Sequence, residues 1–289
     1  MDEIIRKKNF NLFILSLLVV FIVSCTPAYL IQHSPNFAES IYARKTHRIV
    51  KQADQNPENF QLLFDATSEL TMYSYAFLME KADRKSVLDY HQGKILYKIA
   101  QENFIQAKKY GLRGLKLRYP EIDSVIGTTI PKAIKFTKED VPILYWTAAA
   151  WGGAISASKG DLAFIVELPK VGWILERAIE VDSDWNKGAL YLAMISYSMK
   201  RTDQTRDSEK LARIFFEKAI NASNGNNCSP YVSLAELVSV KNQDKKEFEY
   251  LLNKALAIDI NNDPDFTLSN TLAQVRAKWL LEQTESLFY

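Results

Sequence analysis

Apolar residues along this chain recur at intervals of three and four, the period that places them on one face of an α-helix. Phe37, Ile41, Ile49 and Val50 mark a first segment, and Pro57 opens a second that carries Phe60, Leu63, Phe64, Leu70 and Phe77. A helix pair then begins near Arg84, with Leu88, Ile95, Leu96, Ile99, Phe104 and Ala107 ahead of Gly111 and Gly114. No alternating run of β-branched residues is long enough to argue for a sheet. The pattern predicts an all-α protein.

The pattern changes at Val141 to Ser158, a run without any charged side chain, bounded by Asp140 and Lys159. Roughly 18 apolar residues is the length that raises the question of a membrane span. Pro142, Thr147, Ser156, Ser158 and the Gly152–Gly153 pair make this run too polar and too broken for one. Ala148, Ala149, Ala150 and Ala154 instead let neighbouring helices approach, so a buried helix is expected. A linker from Tyr119 to Lys138, with Pro120, Gly127, Thr128, Thr129 and Pro131, precedes it. Thr137 to Asp140 forms a capping box at its start, and Pro142 falls in the first turn, where a missing N–H costs least. Beyond Gly160, Asp161 is the expected cap of a short helix, and Pro169 restarts a longer one that ends at Asp182.

That longer helix closes on Leu175-Glu176-Arg177-Ala178, which resembles the second helix of a tetratricopeptide repeat. Ala212, Phe216 and Ala219 show the same small-aromatic-small spacing, as do Ala100, Phe104 and Ala107, and Phe248, Leu252 and Ala255 fall on a related one. A small residue lets two helices touch while an aromatic one fills the gap beside it. The intervals between matches are irregular. The expectation is stacked antiparallel helix pairs, degenerate tetratricopeptide-like repeats with inserted loops in a compact superhelical array spanning residues 37–289.

Charge narrows the function classes. The 36 basic and 34 acidic residues leave a net charge of +2, too weak a field to recruit nucleic acid. At the N-terminus, Arg6, Lys7 and Lys8 precede the apolar run Leu12 to Val23, which ends at Ser24-Cys25. This is the pattern of a secretory signal peptide over residues 1–24. Ile22-Val23-Ser24-Cys25 also resembles the bacterial lipobox, which makes Cys25 the lipidation site and the membrane anchor. Thr26 rather than Asp after that cysteine favours the outer membrane. Residues 25–36 are expected to be a lipidated tether, because Pro27 and Pro35 discourage helix. Cys228 then has no partner for a disulfide within the mature chain, and a lone cysteine in a Ser/Asn-rich loop reads as incidental.

Candidate chemistry is sparse. His33, His47 and His91 have no spacing that puts two on one helix face, so a metal site is not expected. The chain contains no GxxxxGK[ST], GxGxxG or GxSxG, and the reading is a non-enzymatic protein without a cofactor. Aromatic residues are left to carry a function: Tyr145, Trp146 and Trp151 on the apolar helix and Trp173 beyond it, either as core or as the lining of an apolar channel between helices. The last helix supplies a second ligand or channel candidate, Asn270 and Gln274 on one face, with solvent exposure as the blander reading and Leu268, Leu272, Val275 and Trp279 as the expected buried stripe.

Taken together, the lipobox at Cys25, Leu144-Tyr145-Trp146-Thr147-Ala148-Ala149-Ala150-Trp151-Gly152, the segment from Leu168-Pro169 through Ala178, and Leu268 through Leu281 resemble the TatT family. These are T components associated with tripartite ATP-independent periplasmic (TRAP) transporters. The resemblance implies an outer-membrane-anchored periplasmic lipoprotein that forms a homotrimer and pairs with a periplasmic solute-binding TRAP component. It also implies a pore through each protomer and a hydrophobic or amphipathic small-molecule cargo. The competing reading is a structural lipoprotein that scaffolds outer-membrane assembly.

Overall fold

A computed structural model of the chain describes residues 27–128, 134–201 and 207–289. The segment expected to be a signal peptide, Cys25, Thr129 and Pro131 of the linker, and most of the loop after Lys200 lie outside these residues. Among the described residues the chain is all-α, without a strand.

The N-terminal part holds α1 (Pro27–His33), α2 (Pro35–Gln55) and α3 (Phe60–Tyr73). Here the structure corrects the extended tether expected up to residue 36. Pro27 and Pro35 each stand in the first turn of a helix, where proline's fixed φ suits and its missing N–H is not needed. Ala28 and Ile31 are buried, so α1 belongs to the packed body. Asn59, not Pro57, starts α3, its side chain accepting a hydrogen bond from Leu62 N at 3.1 Å.

From α3 the helical rod runs without a break through a π-helical segment, Ser74–Met79, into α4 (Glu80–Leu88). Asp89 caps α5 (Tyr90–Arg118) by accepting from His91 N and Gln92 N. α5 runs on through Gly111 and Gly114 to the start of the linker, and both glycines are buried inside it. The reason is packing, because a Cβ at Gly111 would lie 2.3 Å from Thr147 Oγ1.

After α6 (Ile122–Val125) comes the apolar helix, α7 (Val141–Ala157). Its start has the expected capping box between Thr137 and Asp140. Asp140 is buried and also takes Arg118 Nη1 at 2.6 Å and the Tyr119 hydroxyl at 2.5 Å. Burial pushes its carboxyl up, but the bonds from Tyr119, Thr137 and Arg118 outweigh that and hold its pKa below the ordinary value. No described helix is long and apolar enough to cross a membrane. α7 packs on α3, α5 and α9.

The chain continues through α8 (Leu162–Ile165), α9 (Leu168–Val181), α10 (Ala189–Lys200) and α11 (Ser208–Ala222). Asp161 caps α8 as expected, accepting from Ala163 N at 2.9 Å. Next, α12 (Ser229–Leu234) runs into a second π-helical segment, Ala235–Ser239, followed by α13 (Lys245–Ala257), α14 (Thr267–Glu282) and α15 (Thr284–Leu287). The small residues of the repeat-like matches are all fully buried: Ala100, Ala107, Ala212, Ala219 and Ala255.

The helices close into a ring. Contacts pass from α3 to α7, α7 to α10, α10 to α12, α12 to α14, α14 to α1, α1 to α2 and α2 back to α3. The seam between the two ends of the chain is apolar, with Leu268 and Leu272 of α14 against Ile31, Ala38, Tyr42 and Phe77.

The two adjacent glycines of α7 separate packing from open space. A Cβ at Gly153 would lie 2.5 Å from Phe104 Cε1, whereas one at Gly152 meets nothing nearer than Val171 Cγ1 at 3.9 Å. Gly153→Ala is therefore expected to cost about 1–3 kcal/mol by overpacking, and Gly152→Ala to gain up to about 1 kcal/mol from helix propensity, both read from urea unfolding. Asp140→Asn is expected to lose on the order of 1.5–3 kcal/mol at pH 7, the worth of hydrogen bonds to a charged group. The folded pKa is depressed, so this contribution is present above the unfolded value of 3.8 and lost as pH falls through the lower folded pKa. Unfolding curves of wild type and variant should converge in that acid range.

Candidate functional site

Helix α7 is buried on every face but one. Val141, Ile143, Leu144, Thr147, Ala148, Ala150, Trp151 and Gly153 through Ile155 are covered, as is Ala157. Pro142, Tyr145, Ala149, Gly152 and Ser156, at spacings of three and four, remain half-exposed, with Trp146 beside them. They form a single accessible stripe on an otherwise enclosed helix.

Three side chains from other elements frame the stripe. Tyr75, in the first π-helical segment, donates its hydroxyl to Ala149 O at 3.2 Å. Its residue surface is 40% accessible, yet burial pushes its phenol pKa strongly up, with Tyr145 adding to the effect. Burial likewise pushes the Tyr145 phenol up to about 12. The Tyr145 ring packs on Trp146 at 5.0 Å and on Trp185 at 4.9 Å. Trp185 is held there by a turn in which Asn186 and Lys187 adopt φ of 49° and 50°, and Lys187 anchors that turn to Asp263 at 2.6 Å. At the far end of the stripe, Lys200 Nζ donates to Ser156 Oγ at 2.6 Å.

The predicted aromatics therefore divide. Tyr145 lies on the accessible stripe with Trp146 beside it. Trp151 lies on another side of α7, where its indole N–H donates to Glu167 Oε2 at 2.7 Å and Lys108 sits 4.5 Å over the ring. Trp173 is half-buried in the same core, edge-on to Phe136 at 6.2 Å. Neither reaches the stripe formed by Tyr145 and Ser156.

Asn270 and Gln274 are corrected from solvent-facing to interior. Asn270 is 1% exposed, accepts from Cys228 N at 2.8 Å and donates to Asn226 O at 2.7 Å. Gln274 Nε2 donates to Ile258 O at 2.7 Å and Ala255 O at 3.1 Å. These are carbonyls at the C-terminal end of α13, which have no intrahelical donor. The fully buried positions of α14 are accordingly Asn270, Thr271, Ala273, Ala277 and Leu280, while Leu268 and Leu272 are half-buried at the ring seam. Cys228 is likewise not in an open loop. It is buried, its thiol lies against Ala255 O at 3.2 Å, and burial pushes its pKa up to about 11.

The feature that sequence reasoning missed is a charged cluster at the Ser156 end of the ring. Arg276 of α14 lies 2.9 Å from Asp83, 3.2 Å from Glu80 and 2.5 Å from Glu236. Arg84 pairs with Glu80 at 3.3 Å and Lys159 with Asp83 at 3.5 Å, and the Tyr97 hydroxyl also binds Asp83. Arg276 further lies 4.5 Å over the Trp279 ring. Burial raises the Glu80 pKa against the opposing pull of Arg276 and Arg84. Glu236 belongs to the second π-helical segment and Glu80 directly follows the first. Such segments shift the register of a helix and commonly mark functional positions. No i, i+4 pattern announces this cluster, because its members come from elements far apart in the chain.

A shallow hollow on the outer face of α11, lined by Asp207, Lys210, Arg213, Ile214 and Glu217, is not a comparable site. One helix supplies all of its walls, and Arg213 is consumed by Glu209 and Glu247. No group of three or more His, Cys, Asp or Glu able to hold a metal occurs among the described residues.

The chain matches the family described as TRAP transporter T-component over residues 52–288. An uncharacterised protein of Treponema pallidum (strain Nichols) is 22% identical over 239 residues, which covers 81% of this chain and 74% of that one.

Arg276 ties three carboxylates from two other segments, so removing it leaves their charges unpaired in a poorly solvated place. Arg276→Met is expected to lower stability by about 3–5 kcal/mol. Arg276→Lys should recover only part of that, since an ammonium cannot bond Glu236 through two nitrogens. Chemical unfolding of the three proteins measures both differences.

Proposed function

The chain belongs to the TRAP transporter T-component family, and from that membership we propose that it assists TRAP-type solute uptake by binding a hydrophobic or amphipathic small molecule in the helical ring. The carrying observation is the half-exposed stripe of α7, Tyr145, Ala149, Gly152 and Ser156, on a helix whose other faces are all packed. A stripe of this kind lets a small apolar molecule lie against the helix and remove further apolar surface from water. Tyr145, Trp146 and Tyr75 supply aromatic walls, and Gly152 gives a ligand room to approach the helix backbone.

The remaining parts of the proposal rest on the sequence and on family membership. Cys25 carries the lipid that holds the protein at the periplasmic side of the outer membrane. A periplasmic solute-binding TRAP component docks on the protein and exchanges the small molecule with it. The working unit is a homotrimer. No catalytic step is assigned.

Gly152 provides the test, because a side chain there enters the groove without meeting a neighbour at its Cβ. The full-length protein is purified from native membranes, and its bound small molecules are extracted and identified by mass spectrometry. Gly152→Ala should retain them, and Gly152→Trp should lose them by tenfold or more while unfolding at the wild-type temperature. Equal ligand loads in wild type and Gly152→Trp would remove the groove from the proposal. The absence of any co-purifying solute-binding protein would remove the docking step.

A further inference from the structure

The outer face of α2 carries one exposed stripe. Phe37, Ile41, Arg44, Arg48, Lys51 and Gln55 recur at spacings of four and three, on the side of the helix opposite the buried Ala38, Thr46 and Ala53. Phe37 is 55% accessible and Ile41 37%. The order has a direction, with the apolar pair at the start of the helix and the three cations after it. The two carboxylates of α2 lie off the stripe and are engaged elsewhere, Glu39 by Lys81 at 3.2 Å and Asp54 by the Tyr110 hydroxyl at 2.6 Å. Lys45, on the flank, takes Glu69 at 2.6 Å. Arg44 Nε donates to Ser40 O at 3.1 Å, and none of the three stripe cations is ion-paired among the described residues.

The occupant of this stripe follows from where the chain enters the helix. Cys25 is two residues from Pro27, at most about 7 Å of chain. Pro27 already belongs to α1, whose Ala28 and Ile31 are buried and which packs on α2 and α14. Helix α1 is itself only about 10 Å long. A lipid on Cys25 therefore holds the start of α2 close to the bilayer, with no linker for the body to swing on. At that range the field of anionic headgroups is felt, since it decays over about 8–10 Å. Three cations with no carboxylate among them are complementary to it, which the chain's net charge of +2 alone is not. Apolar side chains next to a basic stretch on one helix face suit the boundary between headgroups and acyl chains.

We propose that the outer face of α2 docks on an anionic phospholipid surface. Phe37 and Ile41 sink into the headgroup boundary beside the anchor, and Arg44, Arg48 and Lys51 pair with lipid phosphates. Helix α2, about 31 Å long, then lies along the membrane and holds the ring in one orientation above it. This rests on the reading of Cys25 as the lipidated residue, and it adds the surface that meets the bilayer and the lipid charge that this surface selects.

The test places a thiol-linked fluorophore at Gln55→Cys, the end of the stripe farthest from the anchor, and in a second protein at Glu217→Cys on the outer face of α11. Cys228 is buried and does not compete for the label. Each protein is purified from native membranes and reconstituted in vesicles of phosphatidylcholine alone or with phosphatidylglycerol, and quenching by a lipid with a nitroxide headgroup is measured. With phosphatidylglycerol the Gln55 label should be quenched about threefold or more above the Glu217 label, and high salt should remove most of the difference. Arg44→Gln, Arg48→Gln and Lys51→Gln together should bring it to the Glu217 level at an unchanged unfolding temperature. Equal quenching at the two positions in acylated protein, or quenching at Gln55 unaffected by the triple substitution, would overturn the docking face and leave the anchor standing. Shielding of the Gln55 label without lipid, growing with protein concentration, would give the face to a second copy instead. An N-terminal peptide whose mass shows no acyl chain would remove the anchor, and with it the membrane as occupant.

Discussion

Everything in this protein is built on burying α7. Its residues Val141 to Ala157 carry no charge, and their contacts with α3, α5 and α9 leave little clearance. Gly153 admits the Phe104 ring, and Gly111 of α5 admits Thr147. These approaches bring helix backbones close, where many weak dispersion contacts add up. The helix can be enclosed only if its start is tied down, and the Asp140 cluster does this with Thr137, Arg118 and Tyr119. Once three sides are fixed by helix packing, the fourth is met only by single side chains, Tyr75 on Ala149 O, Trp185 on Tyr145 and Lys200 on Ser156, and stays partly accessible.

The two π-helical segments then determine what faces α7. An extra residue in a helical turn rotates the positions after it by a fraction of a turn. In the first segment Tyr75 reaches Ala149 O while Phe77 remains in the seam with Tyr42 and Tyr73. In the second, Glu236 reaches Arg276 while Val238 stays in the core. Each segment thus turns one residue to a polar partner and another, two positions on, to the apolar interior.

The all-helical class, the capping box before α7 and the Asp161 cap were legible in the sequence because they depend on local periodicity and cap chemistry. The proline reading failed at Pro27 and Pro35 because the same residue breaks a helix interior and suits a first turn, and only the following apolar contacts, Ala28 and Ile31, decide between them. Asn270 and Gln274 were picked out for their spacing, but their surroundings were misread. Polar side chains on a helix are usually solvated, and nothing local reveals that α13 ends with unsatisfied carbonyls beside Gln274. Of the four aromatic candidates, helical phase alone separates Tyr145 from Trp151. The small and polar positions Ala149, Gly152 and Ser156, in phase with Tyr145, were the available sign of the accessible face. Lys200 and the Arg276 cluster had no comparable sign, since tertiary packing alone brings Glu80, Lys159, Lys200, Glu236 and Arg276 together.

The ring is closed by two contacts of different character. The seam of Leu268 and Leu272 against Ile31, Ala38 and Phe77 removes apolar surface from water and accounts for most of the closure energy. Arg276 contributes less net energy, because the desolvation of its carboxylates offsets much of their attraction. Its geometry is nevertheless the more demanding one. Apolar surfaces tolerate a slip along the seam, whereas the fork of Arg276 fits Glu236, Glu80 and Asp83 in a single register. The apolar seam thus keeps the ring shut, and the ionic cluster decides where α14 stands within it.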